Sequence, residues 1–277
     1  MIVFDTIETT MDGQVCTLWL SREQNRNAIN GQMAEEILIC LDALALDDDV
    51  RVLVIRGKGK VFCAGGDLNW MLSGEAGKAV ERPADILSRL FYSLYSFPKP
   101  VICYVHGFAM GGAMGLVACS DFVVAAADAF FAFSEVKLGL VPATISPFVV
   151  KRIGEFRSRQ LMLRGDRIGA VEARDAGLAD LVVPANGSGD ASVSKPAAEK
   201  LLADLAGSLE ANAPGAMQAC KQLLVKVASE DIGTELLAYT SDLLARISQG
   251  PEAMEGIGAF LEKRRPEWPK GNEKPER

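Results

Sequence analysis

The stretch HGFAMGGAMGLVACSD, residues 106–121, carries four glycines and three alanines among apolar residues. Glycine inside a regular element costs about 0.5–1 kcal/mol relative to alanine. So much of it in a segment that reads as core means that the backbone itself is needed, for close packing or for a ligand. The segment follows PVICYVHG (100–107), a short apolar run that reads as a strand, and it leads into a helix-like run.

Outward from there the chain alternates. QVCTLWLS (14–21) and VRVLVIRG (50–57) read as buried strands. Between them GQMAEEILICLDALALDD has helical spacing, with Met33, Ile37, Leu41 and Leu44 on one face. KGKVFCAGGDLNWM is a loop opening towards a helix, and residues 72–83 read as a mobile loop. ADILSRLFYSLYSF is helical and stops at PKP. DFVVAAADAFFAFSEVKLG supplies two more short strands. Strand–helix–strand order with apolar strands predicts an α/β fold with a largely parallel sheet. Beyond about residue 150 the chain reads as mainly helical, with NGSGDASVSKP (186–196) as a linker. The expected organisation is a core over 1–195, a helical region over 196–265 and a charged tail over 266–277.

Composition narrows the chemistry. A net charge of −7 with no basic stripe disfavours nucleic acid as a partner. The opening MIVFDTIETT has acids early and no basic start to a leader, and no run is long enough to span a membrane. A cytoplasmic protein without a membrane partner is expected. Six scattered cysteines, no CxxC pair and a single histidine argue for reduced thiols and no zinc site. The glycine cluster does not fit G-x-G-x-x-G, and no G-x-x-x-x-G-K-[ST] occurs. There is no G-x-S-x-G, and His106, at a strand end, is read as structural.

Two loops remain. FCAGGDL (62–68) and MGGAMG (110–115) each follow a strand and lead towards a helix. Backbone N–H groups left free at such places converge readily on one oxygen, making an oxyanion hole. The alternative is tight helix–sheet packing. A third segment, FAFSEVKLGLVP (131–142), sets Glu135 among apolar residues. An unpaired carboxylate there has a raised pKa suited to acid/base work. The alternative is a surface glutamate paired with Lys137.

NRNAIN, GKVFCAGGDLNWM, VHGFAMGGAMGLVACSD, FSEVKLGLVP and AFLEKRRPEW, in this order over residues 1–265, resemble the crotonase superfamily. The resemblance implies a spiral of ββα turns with a C-terminal helical trimerisation region, assembled as a homotrimer or a dimer of trimers. It implies an acyl-CoA thioester as substrate, with no metal and no other cofactor. Gly66 and Gly112 match the family positions whose N–H groups hold the thioester oxygen, and Glu135 matches one of its two catalytic glutamates. Ala28, Ala64, Asp67 and Leu68 match positions lining the CoA site. Phe260 and Lys263 match C-terminal positions that reach the CoA, often from a neighbouring subunit.

The second catalytic glutamate of the typical hydratase falls at Gly115 in this chain. GGDLNWM and SEVKLGLVPATISPFVV resemble a narrower branch, the 3-methylglutaconyl-CoA and isohexenylglutaconyl-CoA hydratases of leucine and acyclic-terpene breakdown, in which glycine also occurs at this place. The expectation is that the missing side chain leaves a space that admits a branched or carboxylated acyl group. Hydration with Glu135 as the single acid/base is the reaction implied. The alternatives are a Δ3–Δ2 enoyl-CoA isomerase, or a binding scaffold on the same fold, which the acidic balance disfavours.

Overall fold

The structure is a computed structural model that describes residues 3–72, 82–184 and 191–268. The chain opens with β1 (Ile7–Asp12) and β2 (Val15–Leu20), followed by α1 (Gly31–Leu46), β3 (Val52–Gly57), α2 (Leu68–Leu72) and α3 (Pro83–Tyr95). Then come β4 (Val101–Val105), β5 (Phe108–Met110), α4 (Ala113–Cys119), β6 (Phe122–Ala126) and β7 (Phe130–Ala132). The remainder is α5 (Ser146–Ile153), α6 (Glu155–Arg164), β8 (Ile168–Gly169), α7 (Ala170–Asp175), β9 (Leu181–Val183) and α8 (Ala191–Glu210). It closes with α9 (Pro214–Val227), α10 (Thr234–Ser248) and α11 (Pro251–Glu262).

Two sheets result. The larger has the order β1-β2-β3-β4-β6-β9 and is parallel except for β1, which forms a hairpin with β2. The smaller has the order β5-β7-β8, with β5 and β7 parallel. After β4 and again after β6 the chain steps from the large sheet into the small one, giving successive strand–strand–helix turns of a spiral. The pattern explains the strands. β4, VICYV, is buried along its whole length and is apolar throughout, as a strand covered on both faces must be. β2 buries alternate residues, Cys16, Leu18 and Leu20. In α1 the predicted stripe is found: Met33, Ile37 and Leu41 are buried, and Asn30 caps the first turn by accepting from the Met33 N–H at 3.0 Å.

Several short strands lie outside the sequence reading. β1 buries only Ile7 and has no apolar alternation to announce it. β5, β8 and β9 have three residues or fewer, too few for a period to show, and the last two interrupt the region read as helical. The linker expected over 186–196 is corrected at its end: α8 already begins at Ala191, so the boundary at 195/196 falls inside a helix. Ala- and Leu-rich sequence follows the Ser/Pro stretch, and helix propagation from it is favourable. Residues 186–190 lie outside the described residues. So do 73–81 of the loop expected over 72–83, and 269–277 of the expected tail.

The C-terminal helices dock on the large sheet through polar ties. Arg56 of β3 lies over the rings of Trp19 and Tyr104, 4.6 and 5.0 Å to their centroids, and its guanidinium forks onto Glu199 of α8 at 2.7 and 2.9 Å. Lys221 of α9 reaches Asp121 at 2.6 Å, and Arg51 donates to the carbonyl oxygens of Glu210 and Asn212. Glu252 of α11 caps α9, accepting from the N–H groups of Gly215 and Ala216 at 2.8 Å each. Among the described residues no helix is long and apolar enough to cross a membrane.

Candidate active site

The small sheet is wider than its named strands. Cys63 bridges Ala109 of β5, and Ile29 bridges Gly66, both in parallel register. Segments 29–30, 63–66, 108–110 and 130–132 therefore run side by side, and the last three each deliver a candidate residue where they leave the sheet: Gly66, Gly112 and Glu135. Parallel strands put functional groups at their carboxyl ends for this reason: all the chains exit on one side.

The two glycine loops touch through their backbones. A Cβ placed on Gly65 would stand 2.5 Å from the Met110 carbonyl oxygen and 3.1 Å from the Gly112 nitrogen. One on Gly112 would stand 3.2 Å from the Gly66 nitrogen. Gly65 and Gly111 also have φ of +100° and +53°, which side-chain-bearing residues rarely adopt. The loops are pinned on either side of the two amides. Ile29 N–H donates to Gly65 O at 2.7 Å, Asp67 N–H to Ile29 O at 2.8 Å, and Gly111 N–H to Ala132 O at 2.9 Å. No described residue accepts from the Gly66 or Gly112 N–H. Two free donors held together by close backbone contact are the components of an oxyanion hole.

Glu135 opens a single 3₁₀ turn after β7. Its Oε1 would lie 3.6 Å from a Cβ on Gly111, so the carboxyl group stands beside the second glycine loop. Oε2 is buried with no hydrogen-bond partner among the described residues. Burial holds its pKa above the ordinary carboxylate value of 4.5, with only its own backbone N–H working the other way. Lys137 is not its partner: that ammonium pairs with Asp166 at 2.9 Å. His106 is tied to the Gly59 carbonyl at 3.0 Å and stacks on Tyr104, and burial lowers its pKa, so it holds the loop rather than a nucleophile.

Asp67, expected at a position lining the CoA site, has its side chain engaged in a clamp. Its Oδ2 accepts both Nη atoms of Arg22 at 3.1 Å, and its Oδ1 accepts the N–H groups of Asn69 and Trp70 at the start of α2. Both oxygens are thus engaged within the protein. Arg22 also donates to Ala28 O, joining the loop before α1 to the loop bearing Gly66. Asn27, 0 % exposed, donates to the carbonyl oxygens of Lys58, Val61 and Phe62 at 2.9–3.0 Å while accepting from the Arg22 N–H. Sequence reading missed Arg22 and Asn27 as site-forming residues; Asn27 sits inside the quoted NRNAIN, and its φ of +56° suits asparagine. Ala28 and Ala64 are half-buried in these same loops, and Ala64 N–H donates to Arg26 O at 3.0 Å. Leu68 is exposed at the start of α2. Alongside lies a cavity of about 410 Å³ lined by Arg26, Lys58, Lys60, Glu23 and Phe108.

The space expected at Gly115 is not there. Gly115 is buried in α4, and a Cβ on it would lie 2.6 and 2.7 Å from Cζ and Cδ1 of Phe91, whose ring is 0 % exposed. The aromatic ring has taken the volume that a side chain at 115 would need. Phe260 and Lys263 stand exposed at the end of α11, and within one chain the hydrogen bonds of that helix run to α9 and to its own terminal segment.

The sequence profile of the enoyl-CoA hydratase/isomerase family matches residues 10–271. The chain belongs to this family. It is 34% identical to a putative enoyl-CoA hydratase of Thermus thermophilus, over 92% of this chain and 98% of that one. It is 31% identical to the 2,3-dehydroadipyl-CoA hydratase of Escherichia coli, over 92% of this chain and 95% of that one. The crystal structure of an enoyl-CoA hydratase from Shewanella pealeana superposes with a TM-score of 0.85, at 35% identity and 96% coverage of each chain. Among the family's relatives hydratase names predominate and isomerase names also occur. The α/β spiral expected from the five motifs is therefore the observed fold, and the chain is an enzyme of the enoyl-CoA hydratase/isomerase family.

Proposed function

We propose that the protein adds water across the α,β double bond of an acyl-CoA thioester. The observation that carries this reading is the placement of two undonated amides, Gly66 and Gly112, beside a buried carboxyl group with a free oxygen, Glu135. The amides polarise the thioester carbonyl and make the β-carbon electrophilic. Glu135 as carboxylate takes a proton from water as the water oxygen bonds to that carbon. The enolate then takes the same proton at its α-carbon, and the carboxylate is restored. A group whose pKa is raised by burial suits both halves, since it holds the proton better than an ordinary carboxylate and can still return it. The thioester's nucleotide handle is read into the cavity with Arg26 and Lys60, whose positive charge suits phosphate, Lys58 being paired with Glu8.

Isomerisation of a Δ3 double bond is the second reading. It is favoured by one observation: Phe91 stands where a second acid/base group would be, and moving a proton between carbons needs one carboxylate. The narrower expectation of a glutaconyl-type substrate rested partly on a space at Gly115 and now rests on motif resemblance alone. Incubation with crotonyl-, 3-hexenoyl-, 3-methylglutaconyl- and isohexenylglutaconyl-CoA, followed by mass spectrometry, separates these. A gain of one water marks hydration, and a shifted double bond at unchanged mass marks isomerisation. No conversion of any of the four would reject both.

The assembly belongs to the same proposal. Leu224, Leu237, Leu244, Ile257 and Phe260 on α9–α11 are exposed in the single chain, an apolar surface that a trimer or a dimer of trimers would cover. Phe260 and Lys263 would then meet the CoA of a neighbouring subunit.

A further inference from the structure

Taking the acid/base role of Glu135 from the reading above, we propose that the segment between α6 and β8 is the seat that positions this residue: Gly165 by close contact, and Asp166 through its ion pair with Lys137. Topology brings the two segments together. β8 pairs antiparallel with β7, Phe131 opposite Ile168 and Phe130 opposite Gly169. The residues entering β8 therefore lie alongside those leaving β7, which run into the 3₁₀ turn Glu135–Leu138. Gly165 is buried and closes α6, with φ of +59° and its N–H donated to Leu161 O at 3.0 Å. A Cβ placed on it would stand 3.1 Å from Cγ2 of Val136, 3.2 Å from the Phe133 carbonyl oxygen and 3.3 Å from Cε of Lys137. Residues on both sides of Glu135 thus rest against one bare backbone position.

Asp166 adds a directed tie. Its Oδ2 accepts from Arg164 Nε at 3.1 Å, which orients the carboxylate, and its Oδ1 accepts from Lys137 Nζ at 2.9 Å. Both partners are exposed, and such a pair adds little to stability. What it fixes is the far end of a short turn. That turn is otherwise held by its own backbone, Lys137 N–H to Ser134 O at 3.1 Å and Leu140 N–H to Glu135 O at 3.0 Å. The Glu135 carboxyl stands beside the second glycine loop, with Oε1 3.6 Å from a Cβ placed on Gly111. α6 therefore acts as a backing for the turn that carries the carboxyl group. An ångström of misplacement at a reacting group costs about a hundredfold in rate. Gly165 and Asp166 act through Glu135 and need touch no substrate.

The test compares G165A with G13A. Gly13, in the turn between β1 and β2, has φ of +57° and open space where a Cβ would stand, so G13A carries the same backbone strain without the contact. A second arm is D166A, K137M and D166A/K137M, all at exposed positions. One readout is kcat and KM on whichever enoyl-CoA the unmodified protein converts. The other is the rise in melting temperature that E135Q brings to each background at pH 7–8. That rise measures how buried the carboxylate is and needs no turnover. G165A is expected to lower kcat by up to about a hundredfold with KM little changed, while G13A lowers the melting temperature alone. D166A and K137M are each expected to lower kcat severalfold, and the double variant no further, because both remove one tie. In G165A, D166A and K137M the E135Q rise is expected to shrink as the loosened carboxylate gains water. A G165A that matches G13A in kcat and in the E135Q rise would overturn the proposal, and if G165A does not fold, D166A decides by the same criteria. Losses that multiply in D166A/K137M would overturn the role of the ion pair. If the unmodified protein converts no enoyl-CoA, the hydration reading falls, and the E135Q rise still decides whether this segment seats Glu135.

Discussion

At Glu135 the same burial that suits catalysis opposes stability. Among the described residues its buried Oε2 has no hydrogen-bond partner, and burial raises its pKa. As a general base it must be ionised, so kcat/KM is expected to fall as pH drops through a value above 4.5, which a pH–rate profile measures. For folding the sign is opposite. Between 4.5 and the raised value the native state binds more protons than the unfolded chain, so stability is lost as pH rises through that window. Glu135→Gln should therefore cut turnover by about 10²–10⁴ and raise the melting temperature at pH 7–8, a gain that disappears below pH 4.5. A melting temperature that is unchanged or lower at neutral pH would contradict the buried-charge account. At Gly112 the backbone φ of −55° already fits a proline ring, and its N–H is donated to no described residue. Gly112→Pro should then remove one donor from the oxyanion hole, lowering kcat by about 10²–10³ in a protein that still melts cooperatively. Full activity in such a variant would exclude the Gly112 amide from the hole.

At the scale of elements, the site depends on loops rather than on helix ends. α2 has five residues and α4 seven, so neither brings a long helix dipole to the substrate. The amides are aimed instead by the ladder bonds at Gly65, Asp67 and Gly111 and by the Arg22–Asp67 clamp, whose side chains are 14 % and 13 % exposed. Arg22→Ala removes the donor to Asp67 Oδ2 and to the Ala28 carbonyl. A loss of about 2 kcal/mol in denaturant titration is expected, the scale of a hydrogen bond to a charged group. Because the loop holding Gly66 is loosened, kcat should fall more than KM rises. Arg22→Lys keeps the charge but not the fork, and should recover only part of both losses. A change in stability with kinetics untouched would make the clamp purely structural.

For the whole molecule, the proposed assembly through α9–α11 would join stability to function. Leu244→Lys places a charge in the exposed apolar face and should shift the assembly towards monomer, read by light scattering at several concentrations. Lys263→Ala, exposed in one chain, should weaken CoA binding only in the assembled protein and only at low salt, where a point charge on phosphate is least screened. Calorimetry on assembled and monomeric forms measures both. Equal CoA affinity in Lys263→Ala and the unmodified assembly would leave Lys263 a solvated surface residue.

The sequence by itself determined the α/β alternation, the long elements and the three loops that meet at the site. Each of these is written in local chemistry: a period of apolar residues, a glycine that only a close approach explains, a glutamate among apolar neighbours. It also carried enough ordered motifs to place the chain in its family. Tertiary structure alone decided the rest. β1 is too polar to show a period and pairs through its hairpin with β2, while β5, β8 and β9 are too short and pair only because the spiral brings them edge to edge. Asp67 is closed by Arg22, forty-five positions away. The space beside Gly115 is filled by Phe91 of another helix. A missing side chain in sequence is not a missing volume in space, because close packing gives that volume to whichever neighbour can reach it.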